Sequence, residues 1–338
     1  MKELYMNSDR YRGRVLVTGM NGLLGTNTAH ALAAAGYEVR GLLRRRASYR
    51  GIASDRISLY EGDFTDVAVL ADAMEGCSAV IHCAACTSQN ASEEEYSRVN
   101  VIALHNLLDT AASLGIRRVV YISSANIFGY GTKDRPGDGS CPTMPPFTSS
   151  GYAMSKARAR QIVREFRDRM EIVTLCPTFM IGPYDSKPGS GRIILIGYRR
   201  RIVFCPPGGK NFVPVQDVAA AAVSALVKGV PGKEYIVAGE NLSYREFYRL
   251  LAECTGVRSL RVCLPEPVMM AAGLLGDWMH GTFGVRTELS QVNMRLLCTG
   301  NYYVMTDAAV DLGVRCRPVE EAVGEAVSWF RHEGMCRR

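Results

Sequence analysis

From Arg14 to Pro177 the chain alternates short β-branched runs with stretches of helical period, and this alternation restricts the possible folds more than any other feature. Arg14–Thr18, Glu38–Leu43, Ile57–Tyr60, Ala79–Cys83, Arg118–Ser123 and Glu171–Cys176 read as strands. Leu23–Ala35, Val67–Met74, Glu93–Ser113 and Tyr152–Asp168 read as helices, the third closed by Gly115. Parallel strands need a long crossover, and a helix is the usual one, so this order predicts an α/β chain with a doubly wound parallel sheet and right-handed crossovers.

Beyond Pro177 the pattern changes. Gly and Pro cluster in Gly182–Arg192 and Pro206–Gly209, and a strand–helix–strand segment follows over Phe212–Ala238. Ser243 with Glu246 three places on is a capping box for a helix reaching Thr255, and Pro265–Met279 and Pro318–Phe330 read as further helices. The length of 338 residues suits two lobes. The expected organisation is a flexible leader over 1–13, a domain built on the parallel sheet over 14–181 plus 212–239, and a smaller C-terminal mixed lobe over 182–211 plus 240–338.

Hydrophobic residues at 47% and charged residues at 22% exclude a disordered chain. Forty basic against 33 acidic residues leave +7, short of the one-sided charge of a dedicated nucleic-acid binder, so no nucleic-acid partner is expected. Eleven irregularly spaced cysteines make no disulfide framework and point to a reducing compartment. No apolar run reaches the ~18 residues of a membrane span, and residues 1–14 lack a signal-peptide core, so the expected location is cytoplasmic.

Gly19, Gly22 and Gly25 in Val17-Thr18-Gly19-Met20-Asn21-Gly22-Leu23-Leu24-Gly25 follow a strand and open a helix. Glycines there permit a tight turn and close backbone approach to a diphosphate, which the helix N-terminus attracts. This is the phosphate-binding turn of a Rossmann-type sheet, so 14–181 plus 212–239 is the expected dinucleotide-binding domain and the smaller C-terminal lobe the expected substrate-binding one. At the end of the second strand, where an acidic residue selects NAD by holding the ribose 2′-hydroxyl, stand Leu43 and then Arg44-Arg45-Arg46. A guanidinium binds a 2′-phosphate bidentately, so the expected cofactor is NADP rather than NAD, with Arg44 the leading contact. Gly62-Asp63-Phe64 is placed to bracket an adenine, and the small residues of Cys83-Ala84-Ala85-Cys86 let a dinucleotide lie against the backbone. The CxxC there lacks a second ligand pair, and no metal is expected.

Tyr152 and Lys156 are one helical turn apart on the same face. A phenol of pKa about 10 becomes a useful base when a nearby ammonium favours its phenolate. Ser124 lies at the carboxyl edge of the preceding strand, where doubly wound sheets hold ligands and where a hydroxyl can fix a substrate carbonyl.

Together VTGMNGLLG, GDFTD, HCAA, YISSANIFG, YAMSK, CPTFMIGP and NFVPVQDVA resemble the extended short-chain dehydrogenase/reductase (NAD-dependent epimerase/dehydratase) superfamily over Arg14 to Trp329. Within it the chain looks most like the dihydroflavonol-reductase-like and hopanoid-associated epimerase branch, similar to 3β-hydroxysteroid dehydrogenases, through Arg44, GGKNFVPV and NYYVMTDAAVDLGV. The resemblance implies Ser124, Tyr152 and Lys156 as the catalytic triad. It implies cofactor contacts from Asn21, Gly22, Leu23 and Leu24, from Arg44, Asp63, Phe64, Ala84 and Ala85, from Asn100 on the long helix, and from Pro177, Thr178 and Phe179. It also implies a homodimer through helices 93–113 and 152–168.

The departures are informative. Phe128 replaces a common Tyr, and Pro214 a common His. Ala125-Asn126 replaces the Asp-Glu pair of sugar dehydratases, and Lys210-Asn211-Phe212 replaces the R-D-[FY] run whose Arg grips a sugar-nucleotide diphosphate. The expected function is an NADP(H)-dependent hydride transfer to or from a carbonyl/alcohol carbon of a small, partly apolar substrate, with Tyr152 as acid/base. Ser124, Phe147 and Phe179 are candidate substrate contacts, with Met144 and the Met269–Met279 helix as further apolar walls. A sugar or sugar-nucleotide epimerase with retained NAD(P) is the alternative enzyme. A non-catalytic dinucleotide sensor is the alternative of another class, disfavoured by the intact Tyr-x-x-x-Lys pair.

Overall fold

The computed structural model of the protein describes residues 13–284 and 287–336. The leader expected over 1–13 therefore lies outside the described residues, except for Gly13.

Seven strands form the main sheet: β1 (Arg14–Thr18), β2 (Glu38–Leu43), β3 (Ile57–Glu61), β4 (Cys77–His82), β5 (Arg118–Ile122), β6 (Glu171–Pro177) and β10 (Glu234–Val237). Their order is β3-β2-β1-β4-β5-β6-β10, and every neighbouring pair is parallel. The order reverses between β1 and β4, which opens a crevice at the carboxyl ends of those strands. Helices α1 (Leu23–Ala34) and α7 (Val215–Val227) cover one face, where Leu24, Leu32, Val218 and Ala222 meet Val15, Val17 and Ile81. On the other face α2 (Val67–Met74), α4 (Ala103–Ser113) and α5 (Gly151–Glu165) bring Leu70, Leu104, Leu107 and Val163 onto Leu16, Val80 and Val119. Buried Arg118 donates to the carbonyls of Ala225 and Gly229 (2.6 Å each), which fixes the end of α7 to β5.

The long helix read at Glu93–Ser113 is interrupted: α3 (Glu93–Tyr96) passes through a π turn at Ser97–Ile102 into α4. The inserted register turns Asn100 inward, a common use of π turns near functional sites.

The segment read as returning to the sheet from Phe212 onward divides. Only Glu234–Val237 adds to the main sheet, beside β6. Phe212 lies on β9 (Gly209–Pro214), the centre of a second sheet that includes β7 (Phe179–Ile181), β11 (Glu240–Ser243) and β13 (Gly300–Asn301). The cause is packing: Phe212 is buried and stacks on Phe247 of α8 (Tyr244–Thr255) at 4.4 Å. That helix starts with the expected capping box, Ser243 Oγ accepting from the Glu246 amide and the Glu246 carboxylate accepting from the Ser243 amide, and closes at Gly256 with φ +67°. β8 (Ile202–Cys205) pairs with β12 (Leu260–Cys263) as a separate ribbon, and α9 (Glu266–Phe283) packs against α10 (Gln291–Cys298).

Candidate active site

The crevice between β1 and β4 is bounded by backbone brought into near contact. A Cβ on Gly19, whose φ is +68°, would stand 2.8 Å from the Ala84 nitrogen, and one on Gly25 would stand 2.1 Å from the Gly19 carbonyl oxygen. Thr18 Oγ1 accepts from the Ala84 amide at 3.2 Å and hydrogen-bonds His82 Nδ1 at 2.7 Å, joining the two strand ends. Gly22 caps α1 without a side-chain cap, so the first amides of that helix, at Leu23 and Leu24, are left for an anion. The residues present therefore fit a dinucleotide diphosphate.

Asn21 extends this cradle toward β2. Its side-chain amide donates to Ser48 Oγ at 2.6 Å, and its carbonyl accepts from Ser186 Oγ at 2.9 Å. The loop after β2 is thereby held against the glycine turn. Within it Arg46 is committed: its amide donates to Glu61 and its guanidinium to the Leu59 carbonyl. Arg44 and Arg45 are exposed, and among the described residues no carboxylate pairs with either. Asp63 accepts from the Thr65 amide in the turn after β3, and Phe64 packs 5.6 Å from the His82 ring. Ala84 is buried and Ala85 half-buried along the floor.

The catalytic candidates converge from β5 and α5. Ser150 caps α5 by accepting from the Ala153 amide, placing Tyr152 in the first turn and Lys156 one turn on. Ser124, 6% exposed, follows β5 and accepts from the Asn126 amide at 3.2 Å in a turn that packs against α5, the helix of Tyr152. Burial pushes the Tyr152 phenol up to about 12, against an opposing pull from Ser124. Lys156 is 2% exposed; its ammonium donates to the Ile122 carbonyl at 2.9 Å and the Tyr121 hydroxyl at 3.4 Å, and lies 5.0 Å from the Tyr121 ring centroid. Burial lowers it to about 8. The expected tyrosine–lysine face is present, but the amine bonds the end of β5 rather than the phenol. Activation of the phenol thus needs positive charge beyond this lysine.

Tyr121 is a site residue that the sequence reading passed over. It lies in register with His82, their rings 6.0 Å apart and nearly parallel, and His82 is in register with Thr18. Burial first, and the Lys156 charge second, depress His82 to about 3, so it is neutral. Only the hydroxyl of Tyr121, among the apolar residues that follow Arg118 in β5, could have signalled this row.

The remaining candidates take structural positions around the crevice. Asn100 has its amide fully used: Oδ1 accepts from the Cys86 amide (2.8 Å), and Nδ2 donates to the Cys86 carbonyl (3.0 Å) and Ser155 Oγ (2.8 Å). It staples the loop after β4 to α5. Pro177 ends β6; Thr178 donates from its hydroxyl to Asn211 Oδ1 (2.7 Å), and Phe179 meets Phe212 edge to face. Phe147, 2% exposed, is covered by Tyr130 and by the Lys210 ammonium, 5.4 Å from its ring centroid. The Met-rich helix α9 does wall a cavity of about 370 Å³ beside Gly151, but through Gly276, Asp277 and His280 rather than its methionines. Among the described residues no group of three His, Cys, Asp or Glu could hold a metal ion, and no helix is long and apolar enough to cross a membrane.

The chain is similar to known proteins along nearly its whole length. The sterol demethylase protein B of Methylococcus capsulatus is 31% identical over 326 residues, 95% of this chain and 99% of that protein. The 2-alkyl-3-oxoalkanoate reductase of Stenotrophomonas maltophilia is 27% identical, covering 89% of this chain and 94% of its own. The crystal structure of gox2253 superposes with a TM-score of 0.81 at 28% identity, covering 96% of this chain and 99% of that one. Residues 15–238 match the model of the NAD dependent epimerase/dehydratase family. With a glycine cradle fitted to a nicotinamide dinucleotide and a Ser124–Tyr152–Lys156 constellation beside it, the chain belongs to that family and is an NAD(P)-dependent enzyme.

Proposed function

We propose that the protein is an NADP(H)-dependent oxidoreductase acting on a carbonyl/alcohol pair in a small, partly apolar substrate. The observation that carries the reading is the packing of the Ser124 turn against the helix that bears Tyr152 and Lys156, with the buried Lys156 ammonium donating to the Ile122 carbonyl just before that turn. When bound, the nicotinamide supplies or accepts the hydride and, in its oxidised form, brings a positive charge to the crevice. Tyr152 gives its phenolic proton to the carbonyl oxygen in reduction and takes it back in oxidation. Ser124 donates to the same oxygen and fixes its direction. Lys156 holds charge beneath both, and Asn100 keeps α5 in place through Ser155.

Arg44 and Arg45, exposed beside the glycine turn and free of carboxylate partners among the described residues, favour a 2′-phosphate and hence NADP. The 2-alkyl-3-oxoalkanoate reductase, by its name, reduces a ketone carried on an alkyl chain. The homodimer through helices 93–113 and 152–168 belongs to the proposal, supported by the exposed apolar side chains of Ile102 and Met154; light scattering on the purified protein tests it. The redox reading is tested with NADPH and a panel of apolar ketones. Turnover that consumes NADPH supports it, whereas cofactor binding without reduction of any ketone overturns it.

A further inference from the structure

We infer that the protein docks on the surface of an anionic lipid bilayer through the open face of the β8–β12 ribbon and the outer stripe of α9. Neither element belongs to the redox site, and the docking surface does not depend on the redox reading.

The ribbon is covered on one face only. Val203 and Cys205 of β8 are buried toward α8, among Phe247, Tyr248 and Leu251. Successive residues of a strand point to opposite faces, so the in-register pairs Ile202 with Leu260 and Phe204 with Val262 take the other side. Ile202, Phe204 and Leu260 are each more than half exposed, and Val262 is half-buried. A contiguous apolar row turned to water is unfavourable, and a partner that covers it removes the cost.

The chain repeats the arrangement directly afterwards. Leu264, whose amide donates to the Cys205 carbonyl at 2.9 Å, and Pro265 lead from β12 into α9. Met269, Gly273 and Gly276 form the buried side of this 18-residue helix, the two glycines seated against Gln291 and Leu289. On the outer side Val268, Leu274, Leu275, Trp278 and Phe283 are exposed, where a surface helix ordinarily carries charge. The two carboxylates of α9 lie off this stripe: Glu266 is in the first turn, and Asp277 accepts from the amide and the side chain of Gln291.

Charge selects the occupant. Arg199, Arg200 and Arg201, between α6 (Arg192–Gly197) and β8, are exposed, as is Arg258 two residues before β12. The Leu260 amide donates to the Arg201 carbonyl, so these arginines gather at one end of the ribbon. Among the described residues no carboxylate pairs with any of the four, whereas Arg192 and Arg249 pair with Glu288 and Glu253. A second copy of the chain seated across the same face would bring arginines against arginines, which disfavours self-pairing. A bilayer with anionic lipid offers hydrocarbon to the ribbon and helix and oxygen anions to the guanidiniums. Among the described residues no helix is long and apolar enough to cross a membrane, and an apolar stripe along one side suits a helix lying in the headgroup plane.

The test is co-sedimentation of the full chain with vesicles of phosphatidylcholine alone and of phosphatidylcholine with phosphatidylglycerol, followed in parallel by tryptophan emission. Of the two tryptophans Trp278 is exposed and Trp329 buried, so a blue shift reports docking through α9. Wild type is expected to bind the anionic vesicles about 100-fold more tightly than the neutral ones, with that shift. Arg200→Ser/Arg201→Ser/Arg258→Ser should lose about 100-fold in affinity for the anionic vesicles, roughly fivefold for each charge. Leu275→Ser/Trp278→Ser should lose about tenfold or more, and both variants replace exposed side chains only. Absence of wild-type binding, equal binding to both vesicle types, or binding without a shift overturns the inference. A dimer in sedimentation velocity that Leu275→Ser/Trp278→Ser splits, with no vesicle binding, gives this face to a second copy and overturns it as well.

Discussion

Replacing Lys156 with Met removes the amine and keeps the buried stem, and the structure allows its effect on stability to be worked out. Burial lowers the ammonium from 10.5 to about 8. Each unit is about 1.4 kcal/mol, so carrying the charge in the folded state costs about 3 kcal/mol below pH 8. Against this, Met strands the Ile122 carbonyl, which accepts from Lys156 at 2.9 Å. A buried acceptor left unpaired costs roughly 1–2 kcal/mol. The variant should therefore be more stable than wild type by about 1–2 kcal/mol near neutral pH.

The sign of the pH dependence follows from proton counts. Between about pH 8 and pH 10.5 the folded lysine has lost its proton while the unfolded chain still holds it. Wild-type stability contributed by this group thus rises with pH across that window, and the advantage of Lys156→Met shrinks and then reverses. Urea unfolding followed by circular dichroism, near neutrality and at two alkaline values, measures the difference. A variant less stable than wild type at neutral pH, or a gap that stays constant with pH, refutes the reasoning. The same variant should lose about 100-fold or more in kcat/KM, because the charge beneath the phenol is gone.

Tyr152→Phe should lower kcat/KM by about 10²–10⁴ with NADPH affinity little changed, since the phenol moves a proton and the ring packing remains; steady-state kinetics with cofactor fluorescence separates the two. Arg44→Ser should raise the KM for NADPH by about 10–100-fold and leave that for NADH unaltered, and equal effects on both would remove the 2′-phosphate assignment. Gly25→Ala places a Cβ 2.1 Å from the Gly19 carbonyl oxygen, so the glycine turn must shift, and the NADPH dissociation constant should rise about tenfold or more.

The strands of the main sheet were legible because parallel strands buried on both faces show as unbroken apolar runs such as Val15–Val17 and Val119–Tyr121. The capping box at Ser243 was legible for a different reason: its partners are local, three residues apart. The π turn at Ser97–Ile102 was not, because apolar spacing continues through it and only the bonds of Asn100 to Cys86 and Ser155 reveal the extra residue. β13, two residues long, has no pattern to read, and β9 leaves the main sheet because Phe212 finds Phe247, a contact between separate elements. In the site, the spacing of Tyr152 and Lys156 fixed their shared face. The direction of the Lys156 amine depends on where β5 ends, which the spacing along α5 does not encode.

Lys156 and Lys210 share an environment that the chain's paired lysines lack. Lys156 lies 5.0 Å from the Tyr121 ring centroid and Lys210 lies 5.4 Å from that of Phe147; burial lowers both to about 8, and neither has a carboxylate within ion-pair distance among the described residues. A carboxylate beside either would relieve the burial penalty, and in doing so would neutralise the charge before a ligand arrived. An aromatic face attracts the ammonium far more weakly, about 0.5–2 kcal/mol, so most of its field remains for an incoming group. His82, held neutral beneath Tyr121, adds no competing positive charge. The paired lysines at Lys133 and Lys233 show the opposite arrangement and serve to fasten surface elements. An ammonium buried without a carboxylate keeps its field free for an incoming anion, which a paired ammonium does not.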